Sequence, residues 1–199
     1  MRQQRLETTR LILRPFERND AKDVQRLAGD RAIADTTLNI AHPYEDGMAE
    51  AWISTHSSRF EAGELANFAV LFRDSKSLVG AMGLEIIPRF ERAELGYWIG
   101  KPYWGNGYCT EAGRAVLDYG FVVLNLNRIY ASHFKRNLAS GRVLQKLGMI
   151  HEGCARKHIK KRDLFEDLEL YGVLKTEWQE NNTWKSKEMD RKEFCHDGI

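Results

Sequence analysis

Three apolar, strand-like runs follow one another with almost nothing between them. "NFAVLFR" (Asn67–Arg73), "SLVGAMGLEII" (Ser77–Ile87) and "ERAELGYWIG" (Glu91–Gly100) are joined by the turns Arg73–Ser77 and Pro88–Glu91. Connections this short suit neighbouring antiparallel strands, so the middle of the chain reads as a meander. The alternation of side chains along the third run puts Glu94, Gly96 and Trp98 on one side and Leu95, Tyr97 and Ile99 on the other.

The flanking segments supply helices and the remaining strands. "RLILRPF" reads as a short strand closed by Pro15, followed by a helix capped at Asn19 or Asp20 and running to about Leu27. "HPYEDGMAEAWISTHSSRFEAG" reads as a second helical region ending near Gly63. After the meander, Ala112, Ala115, Val116, Tyr119 and Val123 form one apolar helical face. "RIYASHF" (Arg128–Phe134) is a strand. In "NLASGRVLQKLG" Ala139, Val143 and Leu147 are spaced for a helix capped by Gly148. "MIHEGCARKHI" and "LFEDLELYGVL" read as two last strands, with "RKHIKKR" (Arg156–Arg162) as a basic turn between them.

The order is β-α-α-β-β-β-α-β-α-β-β. It implies a single α/β (α+β) domain with a mixed, mostly antiparallel sheet of about seven strands flanked by four helices. Residues 1–180 form this domain, and 181–199 read as a polar C-terminal extension. With 43% hydrophobic and 29% charged residues, the composition is that of a soluble globular protein. A net charge of +2 gives no field to attract nucleic acid or a membrane. The first residues, "MRQQRLETTR", contain no apolar signal core, so a cytoplasmic location is expected. Cys109, Cys154 and Cys195 have no CxxC spacing, and the histidines make no HExxH pair, so no metal is assigned.

The stretch "KPYWGNGYCTEAG" then draws attention, because Gly105 and Gly107 stand between a strand and a helix. A helix N-terminus has unpaired N–H groups and a positive dipole end, and glycines let an anion approach. Thr110 is a candidate cap, with Glu111 just inside the helix. By itself the pattern fits either a pyrophosphate cradle or a plain strand-to-helix turn. It is not a Walker A loop, which would need Gly-Lys-Ser/Thr, and it lacks the third glycine of a dinucleotide fingerprint.

These residues resemble the GNAT acyltransferase superfamily, whose motif Gln/Arg-x-x-Gly-x-Gly/Ala opens a helix after the fourth strand. Gly107 matches its centre, while Trp104 and Cys109 stand at its ends. Three separated blocks, "ETTRLILRPF", "ELGYWIGKPYWGNGYCTEA" and "NLASGRVLQKLGMIHEG", resemble more narrowly the ribosomal-protein N-acetyltransferases of the RimJ/RimL type. The resemblance covers roughly Glu7 to Leu174. It implies acetyl-CoA as donor, a primary amine as acceptor, and a V-shaped splay between strands four and five.

It also implies site residues. Gly105, Asn106, Gly107, Tyr108, Cys109 and Thr110 would hold the CoA pyrophosphate. Trp98 and Ile99 would pair with the pantetheine, and a backbone N–H there would face the oxyanion. Asn137 would bond pantetheine or cap its helix. Glu94 is the candidate base, and Ser140 the candidate donor to the leaving thiolate; a structural carboxylate and a capping serine are the plainer alternatives. Many family members carry a tyrosine acid after the Ser140 position, and this chain has none there. His133 reads as structural, and Cys109 as a small-residue position rather than a nucleophile. Tyr44, Trp52, Phe90 and the basic turn are acceptor-side candidates. Arg142 and Lys146 are candidates for the CoA phosphates.

Three functions remain open at this stage: acetylation of a protein or peptide α-amine, acetylation of a small amine such as a polyamine, amino acid or antibiotic, and a non-catalytic acetyl-CoA-binding module. A homodimer through edge strands is compatible with the pattern.

Overall fold

A computed structural model describes residues 3–181. Its strands form one eight-stranded sheet, ordered β1-β2-β3-β4-β5-β6-β8-β7. The strands are β1 (Leu6–Glu7), β2 (Leu11–Arg14), β3 (Leu65–Phe72), β4 (Leu78–Ile87), β5 (Arg92–Ile99), β6 (Arg128–Phe134), β7 (Ile150–Lys161) and β8 (Leu164–Leu174). The expected meander is β3-β4-β5, antiparallel throughout, with Gly83 opposite both Asn67 and Gly96. Seven successive residues of β4, Leu78–Leu84, are buried, as a central strand covered on both faces requires.

The sheet carries helices on each face. Period 2 in β3 sends Phe68 and Val70 to one core and Ala69 and Leu71 to the other. The first core packs against α5 (Tyr108–Asp118) and α6 (Leu138–Lys146). The second packs against α1 (Ala21–Ala28), α2 (Arg31–Thr36) and α3 (Met48–Ser54). A short α4 (His56–Glu61) leads into β3. β5 splits as its alternation predicts: Leu95 and Ile99 join the first core, Trp98 the second.

β5 and β6 are the sheet's parallel pair, and they part early. Pairing covers only Arg92–Glu94 against Arg128–Tyr130. Beyond Glu94 the strands diverge, which leaves a fork in mid-sheet. This is the splay expected between the fourth and fifth strands, now counted as β5 and β6 because β1 precedes them.

Several boundaries differ from expectation. β1 adds an eighth strand; two residues are too short to show a period. Among the described residues, α1 to α6 and a further helical stretch over 175–181, which carries the buried Trp178, replace four helices. The second helical region begins only at Met48 and splits at Thr55 into α3 and α4. The overlooked α2 starts at Asp30, whose side chain accepts from the N–H of Ala32 at 2.8 Å. The basic run is not a turn. β7 continues to Lys161 through a register shift between Ala155 and Ile159, where Lys157 has φ 48°, and the turn tightens to Arg162–Asp163. Helix α5 ends at Asp118 and gives way to a π-turn over Tyr119–Val123, which leaves Val122 and Val123 exposed. On α6, Ala139 faces solvent, and Gly141, Leu144 and Leu147 carry the packing instead. Of the expected extension only Asn181 falls among the described residues.

Candidate active site

The donor side is built first from backbone. Gly107 is the N-cap of α5 with φ 78° and ψ 1°, and Gly105 shares the φ of 78°. Left-handed geometry at both positions is what glycine permits and other residues resist. Helix α5 therefore starts at Tyr108, and its cap lies three residues before the expected cap at Thr110. Its first hydrogen bond runs from Glu111 N–H to Gly107 O at 3.0 Å. The amides of Tyr108, Cys109 and Thr110 then have no acceptor within the helix and point out of its end. A side chain at Gly105 would meet nothing within 4 Å, and one at Gly107 only Arg10 Nη2 at 3.6 Å. The space in front of these amides is open to an anion, so the cradle fits a pyrophosphate.

The N-terminal strands brace this cradle, a role the sequence reading did not assign. Glu111 accepts from Thr8 Oγ1 at 2.6 Å, Arg10 N–H at 2.8 Å and Arg10 Nε at 2.6 Å. Burial alone would raise its pKa, but these hydrogen bonds and the Arg10 charge hold it below the usual carboxylate range. Arg10 also donates through Nη1 to Asn106 O at 3.1 Å and lies over the Tyr108 ring, 4.5 Å from its centroid. The "TTR" of the first sequence block is the signal, readable only once residue 111 is known to be nearby.

The fork supplies the next layer. Glu91 O accepts from β6 at Asn127 N–H, and Gly100 N–H donates to β4 at Val79 O. Alternation between these two fixed points turns the backbone groups of Leu95, Tyr97 and Ile99 into the fork, and those of Trp98 toward β4. Trp98 instead contributes its side chain, packed against the α1–α3 face. Ile99 O already accepts from the Trp104 indole N–H, so Trp104 closes the outer end of the fork.

Glu94 sits where β5 and β6 part. Burial raises its pKa and the Glu85 charge adds to this, against a hydrogen bond donated by Ser132 Oγ at 3.4 Å. A carboxylate made more basic by desolvation is suited to accept a proton. Ser140 lies in the first turn of α6, capped by Asn137, whose Oδ1 accepts from Ser140 N–H at 3.2 Å. The Ser140 hydroxyl is 2.6 Å from Tyr97 Oη. Burial pushes the Tyr97 phenol up, so it stays protonated. A tyrosine hydroxyl therefore reaches Ser140, but from β5 rather than from α6. Its position in "ELGYWIG" was legible as the side of Leu95 and Ile99; that this side meets α5 and α6, and that Ser140 is its partner, is seen in the fold.

A single cavity of about 630 Å³ joins these parts. It is lined by every catalytic and CoA-binding residue selected from the sequence except Asn106, whose side chain donates to Tyr103 O and Trp104 O and shapes the turn. Arg142 and Lys146 of α6 line it too. Cys109 is shielded, and burial pushes its thiol up to about 12, so the helix dipole does not make it a thiolate. His133 is stacked on Tyr171 and pressed against Gly141, where a Cβ would stand 2.9 Å from Nε2; its ring also borders the cavity, and its buried Nε2 has no hydrogen-bond partner among the described residues.

The far end of the cavity is reached past Glu94. Gly83 and Gly96 floor it, and Trp52, Leu38, Ile40, Ile159 and Leu168 wall it. Glu85 stands opposite Glu94 on β4 and is paired with Arg59 at 2.5 Å. Of the acceptor-side candidates, Trp52 lines the cavity; Tyr44 packs beside α1 in the second core, and Phe90 lies exposed under Arg89 and Arg92.

An acetyltransferase (GNAT) domain matches residues 10–150. The chain belongs to the GNAT acetyltransferases. It is 31% identical over 175 residues to an uncharacterized N-acetyltransferase, p20, of Bacillus licheniformis, covering 87% of this chain and 97% of that one. A [ribosomal protein uS5]-alanine N-acetyltransferase of Escherichia coli is 26% identical over 180 residues, covering 87% and 92%. Spermidine N-acetyltransferase of Vibrio cholerae, solved in complex with CoA and spermine, superposes with a TM-score of 0.75 at 23% identity, covering 86% and 99%. The chain is thus a GNAT N-acetyltransferase whose fork and helix α5 lie where that fold places them.

Proposed function

We propose that this enzyme transfers an acetyl group from acetyl-CoA to the N-terminal α-amine of a protein or peptide. The observation that carries the reading is Glu94, a desolvated carboxylate in the cavity that is lined both by the α5 cradle and by the apolar side chains of Trp52, Leu38, Ile40, Ile159 and Leu168. The Tyr108, Cys109 and Thr110 amides hold the pyrophosphate, with Gly105 and Gly107 giving it access. Fork-facing groups of Leu95 and Tyr97 bond the pantetheine and face the carbonyl oxygen as it gains charge. Bound there, acetyl-CoA supplies a thioester carbonyl as the electrophile.

Glu94 takes the proton that the amine loses as its nitrogen bonds to that carbon. An α-amine has an ordinary pKa of about 7.7–8.0, so this base has modest work at neutral pH. As the carbon–sulfur bond breaks, Ser140 passes its proton to the sulfur and takes one from Tyr97 across their hydrogen bond, and the phenol regains a proton from solvent. Asn137 holds Ser140 in place through the cap.

A second reading, a polyamine acceptor, is favoured by the Glu85–Glu94 pairing and by the likeness to the spermidine enzyme. Arg59 compensates Glu85, however, and leaves Glu94 as a site for one amine. The test is CoA release with a hexapeptide bearing a free N-terminal alanine against spermidine. The α-amine reading expects turnover of the peptide; turnover of spermidine alone would overturn it.

A further inference from the structure

The basic run has no task in the chemistry above, yet its Lys161 reaches the loop at the acceptor end of the cavity. Lys161 Nζ donates to three carbonyls of the loop after α2: Thr37 O at 2.7 Å, Leu38 O at 2.8 Å and Ile40 O at 3.3 Å. Three acceptors complete an ammonium's donor set. Arg162 pairs with Asp35 at 2.9 Å. Arg136 donates to Asp35 O at 2.7 Å and pairs with Glu166 at 2.8 Å. Burial lowers the Lys161 pKa, and the Arg162 and Arg136 charges lower it further. Three cations are thus gathered at the end of α2 and the loop after it, despite their mutual repulsion.

That loop has no regular structure of its own between Thr36 and Met48. Thr37, Leu38 and Ile40 nevertheless line the cavity, facing Ile159 and Leu168 of the β7–β8 hairpin. Resting on the reading of this cavity as the acceptor site, we propose that Lys161 is a positioning residue that ties residues 37–40 to the hairpin and so fixes the wall against which the amine-bearing group binds. Lys161 touches neither the cradle nor Glu94, so it acts on the acceptor and not on the donor.

The test uses the full chain as K161M, which keeps the stem and removes the donors, and K161R, which restores them. Readouts are KM and kcat for the alanine hexapeptide and for spermidine, the acetyl-CoA Kd, and limited chymotryptic cleavage after Leu38. K161M should raise the KM of the accepted amine on the order of tenfold, with kcat and acetyl-CoA Kd held within about twofold. It should also cleave faster after Leu38, and K161R should recover both. An unchanged KM, unchanged cleavage, or KM and acetyl-CoA Kd worsening together would overturn the proposal. If the wild type acetylates neither amine, the acceptor reading and this role fall together, and cleavage alone still reports whether the tether exists.

Discussion

The donor and acceptor sides of the cleft meet at Glu94 and are made of different material. The donor side is mostly backbone from one continuous stretch, Leu95 to Thr110, with two glycines in left-handed geometry setting the helix end. The acceptor side is mostly side chains from α2, the loop after it, α3, β4, β6 and the last hairpin, some of them over 120 residues apart, as in the 124-residue span from Lys161 to Thr37. A backbone cradle recognises an anion through groups every residue has, so only access and conformation constrain the sequence. A side-chain wall recognises shape, and any element can supply it. The first kind of site can be kept while the second is rebuilt for another amine.

If the two sides are separable, substitutions should divide into those that move acetyl-CoA binding and those that move chemistry or acceptor binding. The largest effect should come at the junction. Glu94→Gln should lower kcat by about 100- to 1000-fold, at the lower part of the range for a lost general base, with acetyl-CoA Kd unchanged. The wild-type rate should fall with acid as Glu94 protonates, at a pH above the ordinary glutamate range, and that limb should vanish in the variant. A raised folded pKa means ionised Glu94 costs stability at neutral pH. Glu94→Gln should therefore raise Tm at pH 7, and the gain should disappear once glutamate is protonated in the unfolded chain as well.

Next comes Gly107→Val. A β-branched residue resists φ 78° and would crowd the anion's approach. Two lost charge-assisted hydrogen bonds, at about 1.5 kcal/mol or more each, weaken acetyl-CoA binding by about two orders of magnitude. Calorimetry would measure this; an unchanged Kd would remove the cradle.

Smaller effects sharpen the boundary. Tyr97→Phe and Ser140→Ala should each lower kcat roughly tenfold, because a thiolate of ordinary pKa about 8.5 leaves without much help. As one hydrogen-bonded unit, the double variant should be little worse than either. Full additivity would mean they act separately. Arg10→Met should weaken acetyl-CoA binding by only about threefold, one exposed contact's worth. It should also shift acid stability. Depressed Glu111 stabilises the fold until pH drops through its lowered pKa, so without Arg10 that loss should begin at higher pH.

What the sequence disclosed follows the same division. The meander, the two sides of β5 and the Gly-x-Gly helix entry were legible because each depends on local period or backbone geometry. The start of α5 was misplaced by three residues, since a glycine cap in left-handed geometry leaves no side-chain signature of the Ser/Thr/Asp kind. Long-range partners were not legible. Thr8 and Arg10 on Glu111, Tyr97 on Ser140 and Lys161 on the Thr37–Ile40 loop each join segments whose proximity only the folded sheet creates. The basic strand looked like a turn because its charges hid the alternation, which the register shift near Lys157 interrupts anyway.

The most direct test of the central claim is a crystal structure with CoA bound. The account predicts the pyrophosphate on the Tyr108–Thr110 amides, the pantetheine bonded to the Leu95 and Tyr97 backbone in the β5–β6 fork, and the thiol between Glu94 and the Tyr97–Ser140 pair. A thiol lying outside the fork, with Glu94 and Ser140 on neither side of it, would contradict the account.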